Sequence, residues 1–171
     1  DLLTEHLRKR ESEVQELSQL KSTYSGLVSE LESEVAAGQI QIEQLRDGIR
    51  LNLPQEILFP SGSASLDPRG EAVLRKVAGK LQEPTHRIEV QGHTDNVPIS
   101  GALTSRFATN WELAAARAAR VVRLFEAARI DPSRLSAISH GQWAPVASND
   151  DPKSRALNRR IEIRLIPTEK P

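Results

Sequence analysis

Apolar side chains in the first third of the chain recur at steps of three and four. Leu20, Tyr24, Leu27 and Leu31 set a stripe, and Val35, Ile42, Leu45 and Ile49 continue it past Gly38. Leu7, Val14 and Leu17 extend it upstream with weaker phase. Glu and Gln dominate the other positions, and no proline interrupts. The two successive steps of four through Leu31 to Val35 are a phase shift of the stutter type. This spacing predicts one helix over residues 1–48, a coiled-coil spacer about 70 Å long at 1.5 Å per residue. So narrow a stripe needs a partner to bury it. The partner is either a second copy, as a parallel dimer, or the helix's own domain.

Beyond Gly48 the period changes to two. Ile49, Leu51 and Leu53 alternate with Arg50 and Asn52, which predicts a strand. Pro54 and the run Pro60-Ser61-Gly62-Ser63 read as loop. Asp67-Pro68 opens a helix, with Asp67 at the N-cap and Pro68 in the first helical position. Val73, Leu74, Val77 and Leu81 form its apolar stripe, and Pro84 ends it. A second strand is expected over 87–92, a long loop over 93–109 and a helix over 110–129. Asp131-Pro132 begins a turn, a third strand covers 135–140, and 142–154 reads as loop. The fourth strand covers 160–166, with Ile161, Ile163 and Leu165 alternating. The predicted class is α+β: two helices on one four-stranded sheet, a two-layer βαβ-αββ sandwich over residues 49–171 behind the spacer at 1–48.

Composition supports a folded core, with 38% hydrophobic residues, although only 4% are aromatic. Formal net charge is zero, which gives a general nucleic-acid role no support. The balance is uneven along the chain. Residues 1–48 carry 10 acids against 5 bases, and residues 49–171 carry 13 against 18, so the C-terminal part suits an anionic partner. The absence of cysteine removes disulfides and thiolate metal sites. No apolar run is long enough to span a bilayer, and no signal peptide is visible. The chain opens at Asp1 inside a helical pattern with no initiator Met. It is therefore expected to be a fragment, so the lack of an anchor in it says little about the parent protein.

The helix at 110–129 holds an anomaly. Leu113, Val121, Leu124, Phe125 and Ala128 form its inward stripe, and Arg117 shares that stripe. A guanidinium there is expensive unless a counter-charge meets it. Asn110, Leu113 and Arg117 line one edge over about two turns. The counter-charge is either internal, from Asp95 or a glutamate, or comes from a ligand carboxylate. Thr94-Asp95-Asn96 follows the second strand, where Asp and Asn commonly cap a turn. Alternatively, Asp95 presents its carboxylate to a ligand ammonium. Asn158-Arg159-Arg160 opens the last strand. Alternation there turns one arginine to a cleft and the other to solvent, unless both are edge charges that discourage aggregation. Catalytic signatures are poor. His6, His86, His93 and His140 lack metal-ligand spacing, and neither a nucleophile elbow nor a phosphate-binding glycine loop is present. No enzymatic activity, metal or cofactor is expected.

Three motifs in order resemble the OmpA/MotB C-terminal family, in its MotB-type branch. They are Thr94-Asp95, the run Asn110-Trp111-Glu112-Leu113 with Arg117-Ala118 and Val121, and Asn158-Arg159-Arg160-Ile161-Glu162-Ile163. Ala114 departs from the family's usual Ser. The resemblance covers about residues 49–166. It implies non-catalytic binding of peptidoglycan through the diaminopimelate of the stem peptide. Asp95 would take the ammonium and Arg117 the carboxylate. Thr94, Asn110 and Leu113 would frame the pocket, and Arg159 or Arg160 would add a donor. It also implies a periplasmic module of a cell-envelope protein, joined to a membrane-embedded partner and homodimeric through the coiled coil. Such a module serves a motor stator; an outer-membrane lipoprotein or other structural tether is the alternative. A cell-wall hydrolase is disfavoured for want of a nucleophile or metal set.

Overall fold

The computed structural model describes residues 1–83 and 86–167. Its centre is a five-stranded sheet of β1 (Gln41–Leu45), β2 (Gly48–Pro54), β3 (His86–His93), β4 (Leu135–Gly141) and β5 (Arg160–Pro167). The spatial order is β1-β2-β5-β3-β4. β5 runs antiparallel to both of its neighbours, while β3 and β4 are parallel. One face is apolar because the strands alternate. Leu51, Leu53, Val90, Ile161 and Ile163 are buried beneath α4 (Pro68–Lys80) and α5 (Asn110–Ala127). Leu74 and Val77 of α4 and Val121 and Phe125 of α5 complete this core. The opposite face is polar, with Glu43 2.6 Å from Arg50 and Glu162 2.7 Å from Arg160. This is the two-layer α+β arrangement expected from the alternation.

The N-terminal region departs from the expected single helix. The helix α1 (Leu2–Glu30) is followed by a short turn of helix, α2 (Glu32–Ala36). Gly38 then takes a φ of 74°, in the left-handed region that suits glycine, and the chain reverses. Residues 41–45 are strand, not helix. Ile42 and Leu45 share a hairpin with β2, in which Leu45 faces Gly48 across the two-residue turn Arg46-Asp47. The helix's own domain buries part of the stripe. Leu20, Leu27 and Leu31 are buried in the core, where α1 packs on α4, β1 and β2. Leu3, Leu7, Val14 and Leu17 remain exposed.

Two more elements lie in segments expected to be loop. A 3-10 turn occupies Gly101–Ser105, and α6 occupies Pro152–Asn158. Asp151 caps α6 through the Ser154 amide, with Pro152 in its first turn. The helix at 68 ends at Lys80, and Pro84 lies outside the described residues.

Candidate functional site

The N-terminus of α5 is fixed by a capping box. The Thr109 hydroxyl accepts from the Trp111 amide, and the Glu112 carboxylate accepts from the Thr109 amide at 2.9 Å. The end of β3 meets the end of β4, where the Thr94 amide donates to the Gly141 carbonyl at 2.8 Å. The Asn110 amide joins these elements. Its Nδ2 donates to the carbonyls of Val97 and Asp95, at 3.0 and 3.3 Å, and to Gln142 Oε1 at 3.2 Å. A cavity of about 600 Å³ opens beside this junction. Its walls come from α5, the 94–103 segment, α6 and the short helix α3 (Gln55–Leu58) with the loop after it.

Arg117 forms part of the inner wall and is only 5% exposed. Its Nε donates to the Ser63 carbonyl at 3.0 Å, and Nη1 donates to Gln55 Oε1 at 2.9 Å. The guanidinium carbon lies 5.5 Å from the Phe59 ring centroid, within cation–π range. These partners are all neutral. Among the described residues no carboxylate forms an ion pair with Arg117. Burial pushes its pKa down to about 10; the positive charge of Arg159 adds to this, and Asp95 opposes it at longer range. Of the two alternatives for Arg117, the internal ion pair is not formed among the described residues, and a buried positive charge faces the cavity with Asp95 acting on it only at longer range.

Asp95 is also buried, but both of its oxygens are engaged. Oδ1 accepts from the Val97 amide at 3.0 Å, and Oδ2 accepts from Arg159 Nη1 at 2.7 Å. Asp95 thus does cap a turn, as its position after a strand favoured. Arg159 also lies 3.5 Å from Glu56, whose side chain is 68% exposed at the cavity mouth. Of the seven residues expected at the site, Thr94, Asp95, Asn110, Leu113, Arg117 and Arg159 line this cavity. Arg160 does not. It is buried on the far side of the strand, where Nε donates to Glu162 Oε2 and Nη1 to the Asn158 carbonyl. Alternation does turn the two arginines apart, but Arg160 goes into an ion pair instead of solvent. Asn158 is fully buried and holds the loop before α6: its Oδ1 accepts from the Val146 and Ala147 amides, at 2.8 and 3.0 Å.

Gln55, Glu56, Phe59 and Arg155 also line the cavity and were not anticipated. Gln55 and Glu56 come from a four-residue helix too short to leave a period, and Phe59 directly follows it. Arg155 sits on α6, whose Asp-Pro start matches the one correctly read at residue 67.

The geometry can hold a small anion or zwitterion at Arg117, with acidic groups nearby. Among the described residues no cluster of histidine and carboxylate ligands could hold a metal ion. No helix there is long and apolar enough to cross a membrane.

Comparison with known proteins agrees with this architecture. The sequence model of the OmpA family matches residues 58–159. Motility protein B of Bacillus subtilis is 30% identical over 155 residues, which cover 90% of this chain and 57% of the relative. The chain thus spans little more than half the length of that curated relative. A crystal structure of a MotB-like protein from Desulfovibrio vulgaris superposes with a TM-score of 0.80 at 31% identity, covering 90% of this chain and 96% of that one. The cell wall anchor of the T6SS from Pseudomonas aeruginosa gives a TM-score of 0.76 at 32% identity, covering 83% and 97%. Fold, motif order and matched span agree: this chain belongs to the OmpA family, in its MotB-like branch.

Proposed function

We propose that this chain is a periplasmic peptidoglycan-binding module that ties a membrane-anchored assembly to the cell wall, as in a MotB-like motor stator. It binds without turnover. The observation that carries the reading is Arg117. A buried guanidinium bonded only to neutral acceptors leaves an anion site in the cavity wall. The diaminopimelate end of a stem peptide carries a carboxylate and an ammonium together. The carboxylate meets Arg117, and the ammonium meets the acidic side of the cleft at Asp95. Thr94, Asn110 and Leu113 frame the ligand, and Arg159 lies beside it. Similarity to motility protein B and to a cell wall anchor supports the same reading. The exposed Leu3, Leu7, Val14 and Leu17 on α1 support self-association through the N-terminal helix, upstream of which the membrane segment would lie.

Arg117→Met and Asp95→Ala test the site by retention on insoluble peptidoglycan. Losing one partner of a buried charged contact costs about 2–5 kcal/mol, so each variant should be washed off. Arg117→Met should stay folded, because removing the buried charge offsets the two acceptors it leaves without a donor at Ser63 and Gln55. Peptidoglycan with lysine in place of diaminopimelate lacks the terminal carboxylate and should retain the wild type poorly. Wild-type retention by folded variants would refute the assignment. A clearing zone on a peptidoglycan zymogram would refute binding without turnover.

A further inference from the structure

Positive and negative groups in the cavity do not balance. Its lining holds three guanidinium groups, of Arg117, Arg155 and Arg159, against two carboxylates, of Glu56 and Asp95. Both carboxylates gather on one of the three: Arg159 lies 2.7 Å from Asp95 and 3.5 Å from Glu56. Among the described residues Arg117 and Arg155 have no ion-pair partner. Arg117 is the anion site argued above. Arg155 is a second cation, on the α6 wall, which the lone carboxylate of a diaminopimelate end does not use.

Arg155 is a positioned group. It is half-buried, and its Nη1 donates to the Asn149 carbonyl at 3.0 Å. Asn149 is itself held, because its Oδ1 accepts from Nδ2 of the fully buried Asn158 at 2.9 Å. Asp151 acts on Arg155 only at longer range, and its oxygens are spent on the start of α6. Oδ1 accepts from the Ser154 amide and Oδ2 from the Ser154 hydroxyl, both at 2.9 Å. Among the described residues Nε and Nη2 of Arg155 make no hydrogen bond. A planar guanidinium with free N–H groups suits a carboxylate. A ligand with one carboxylate and one ammonium carries no net charge, so it leaves the excess positive charge of the cavity in place. One further carboxylate on the same ligand cancels it. A stem peptide has two to offer: the chain-terminal carboxylate at diaminopimelate and the α-carboxylate of its isoglutamate. The geometry points to Arg155 as a second carboxylate subsite, so that the cavity takes one ammonium and two carboxylates of a single stem peptide. This rests on the peptidoglycan reading above, and it gives Arg155 a role in specificity that Asp95 and Arg117 alone do not supply.

Calorimetric titration of the whole chain with three muramyl tripeptides tests the subsite: the free acid, the amide of its chain-terminal carboxyl, and the form with isoglutamine in place of isoglutamate. The free acid should bind about tenfold tighter than at least one of the two amides. Loss with the terminal amide identifies the chain end, and the cavity then prefers stems whose terminal carboxyl has not been consumed in a cross-link. Loss with isoglutamine identifies the inner carboxylate. Arg155→Gln should bind all three alike, at the affinity the wild type shows for the weaker amide, and Arg155→Lys should keep part of the preference. Equal wild-type affinity for the three ligands overturns the subsite alone. An Arg155→Gln variant that is weakened by the same factor for all three, and so still prefers the acid, also overturns it, because Arg155 then only supports the loop before α6. A wild type that binds none of the three overturns the subsite and the cavity reading together.

Discussion

His93 is a buried base with little to bond. It is 5% exposed and stacks on His140 with ring centroids 4.8 Å apart. Its Nε2 lies 3.4 Å from Glu162, yet neither ring nitrogen has a hydrogen-bond partner. Burial pushes its pKa from the ordinary 6.5 down to about 3, and the positive charge of Arg160 and the neighbouring His140 push the same way. Between those values the unfolded chain takes up a proton that the folded chain refuses. Stability is therefore full above about pH 6.5 and falls as the pH drops towards 3. Burial lowers the His86 pKa too, so its contribution has the same sign. His93→Gln should flatten the pH dependence of unfolding in this window by at most about 1.4 kcal/mol per pH unit. Urea titrations at pH 7, 5.5 and 4 measure it, and an unchanged slope would contradict the assignment. The sequence marks His93 only as a loop histidine beside Asp95. Its burial arises because β3 runs on to residue 93, paired with Arg160 of β5, and period alone does not reveal where a strand ends.

At the scale of elements, β3 and α5 set the spacing of the site. They pack so closely at Gly92 that an added Cβ would collide with the Ala114 carbonyl. Backbone cannot give way as a side-chain tip does. Gly92→Ala should cost about 1–3 kcal/mol of stability and weaken ligand binding, because it pushes Asn110 and Arg117 away from Thr94 and Asp95. A lower urea midpoint with unchanged m-value, alongside reduced peptidoglycan retention, would be the expected pair of results. Most elements were legible where one local signal sufficed. Asp67-Pro68 announced α4, and the alternation of Ile161, Ile163 and Leu165 announced β5. Asp151-Pro152 carries the same signal, but the polar run around it hid α6. Periodicity hides β1 and its hairpin with the expected strand β2, because Ile42, Leu45 and Ile49 are spaced by three and four in a strand–turn–strand just as in a helix. The site's motif residues were legible, apart from the direction of Arg160. Its opposite wall at Gln55, Glu56 and Phe59 was not, because only tertiary packing brings α3 across from α5.

Across the whole molecule, α1 has two unlike halves. Leu20, Leu27 and Leu31 belong to the domain's own core, whereas Leu3, Leu7, Val14 and Leu17 stand in solvent. Charge in the two halves should therefore do different things. Leu27→Asp should unfold or strongly destabilise the domain, because it buries a carboxylate in an apolar core. Leu7→Asp with Val14→Asp should leave the domain's melting unchanged and convert a dimer to a monomer in light scattering. A wild-type chain that is monomeric at high concentration would remove the dimer from the proposal. The sheet order has a further consequence, for timing. β5 is the last of the five strands in the chain, yet it lies between β2 and β3 and bonds to both. Until residues 160–167 arrive, β2 and β3 have no strand between them, and each presents an unpaired edge. Pairs such as Ile49 with Leu165 also close very long loops, which makes sheet assembly slow. The architecture thus withholds the native state from an incomplete chain. A polypeptide threading a narrow translocation channel would stay foldable, and unfolded, until its final strand had passed through.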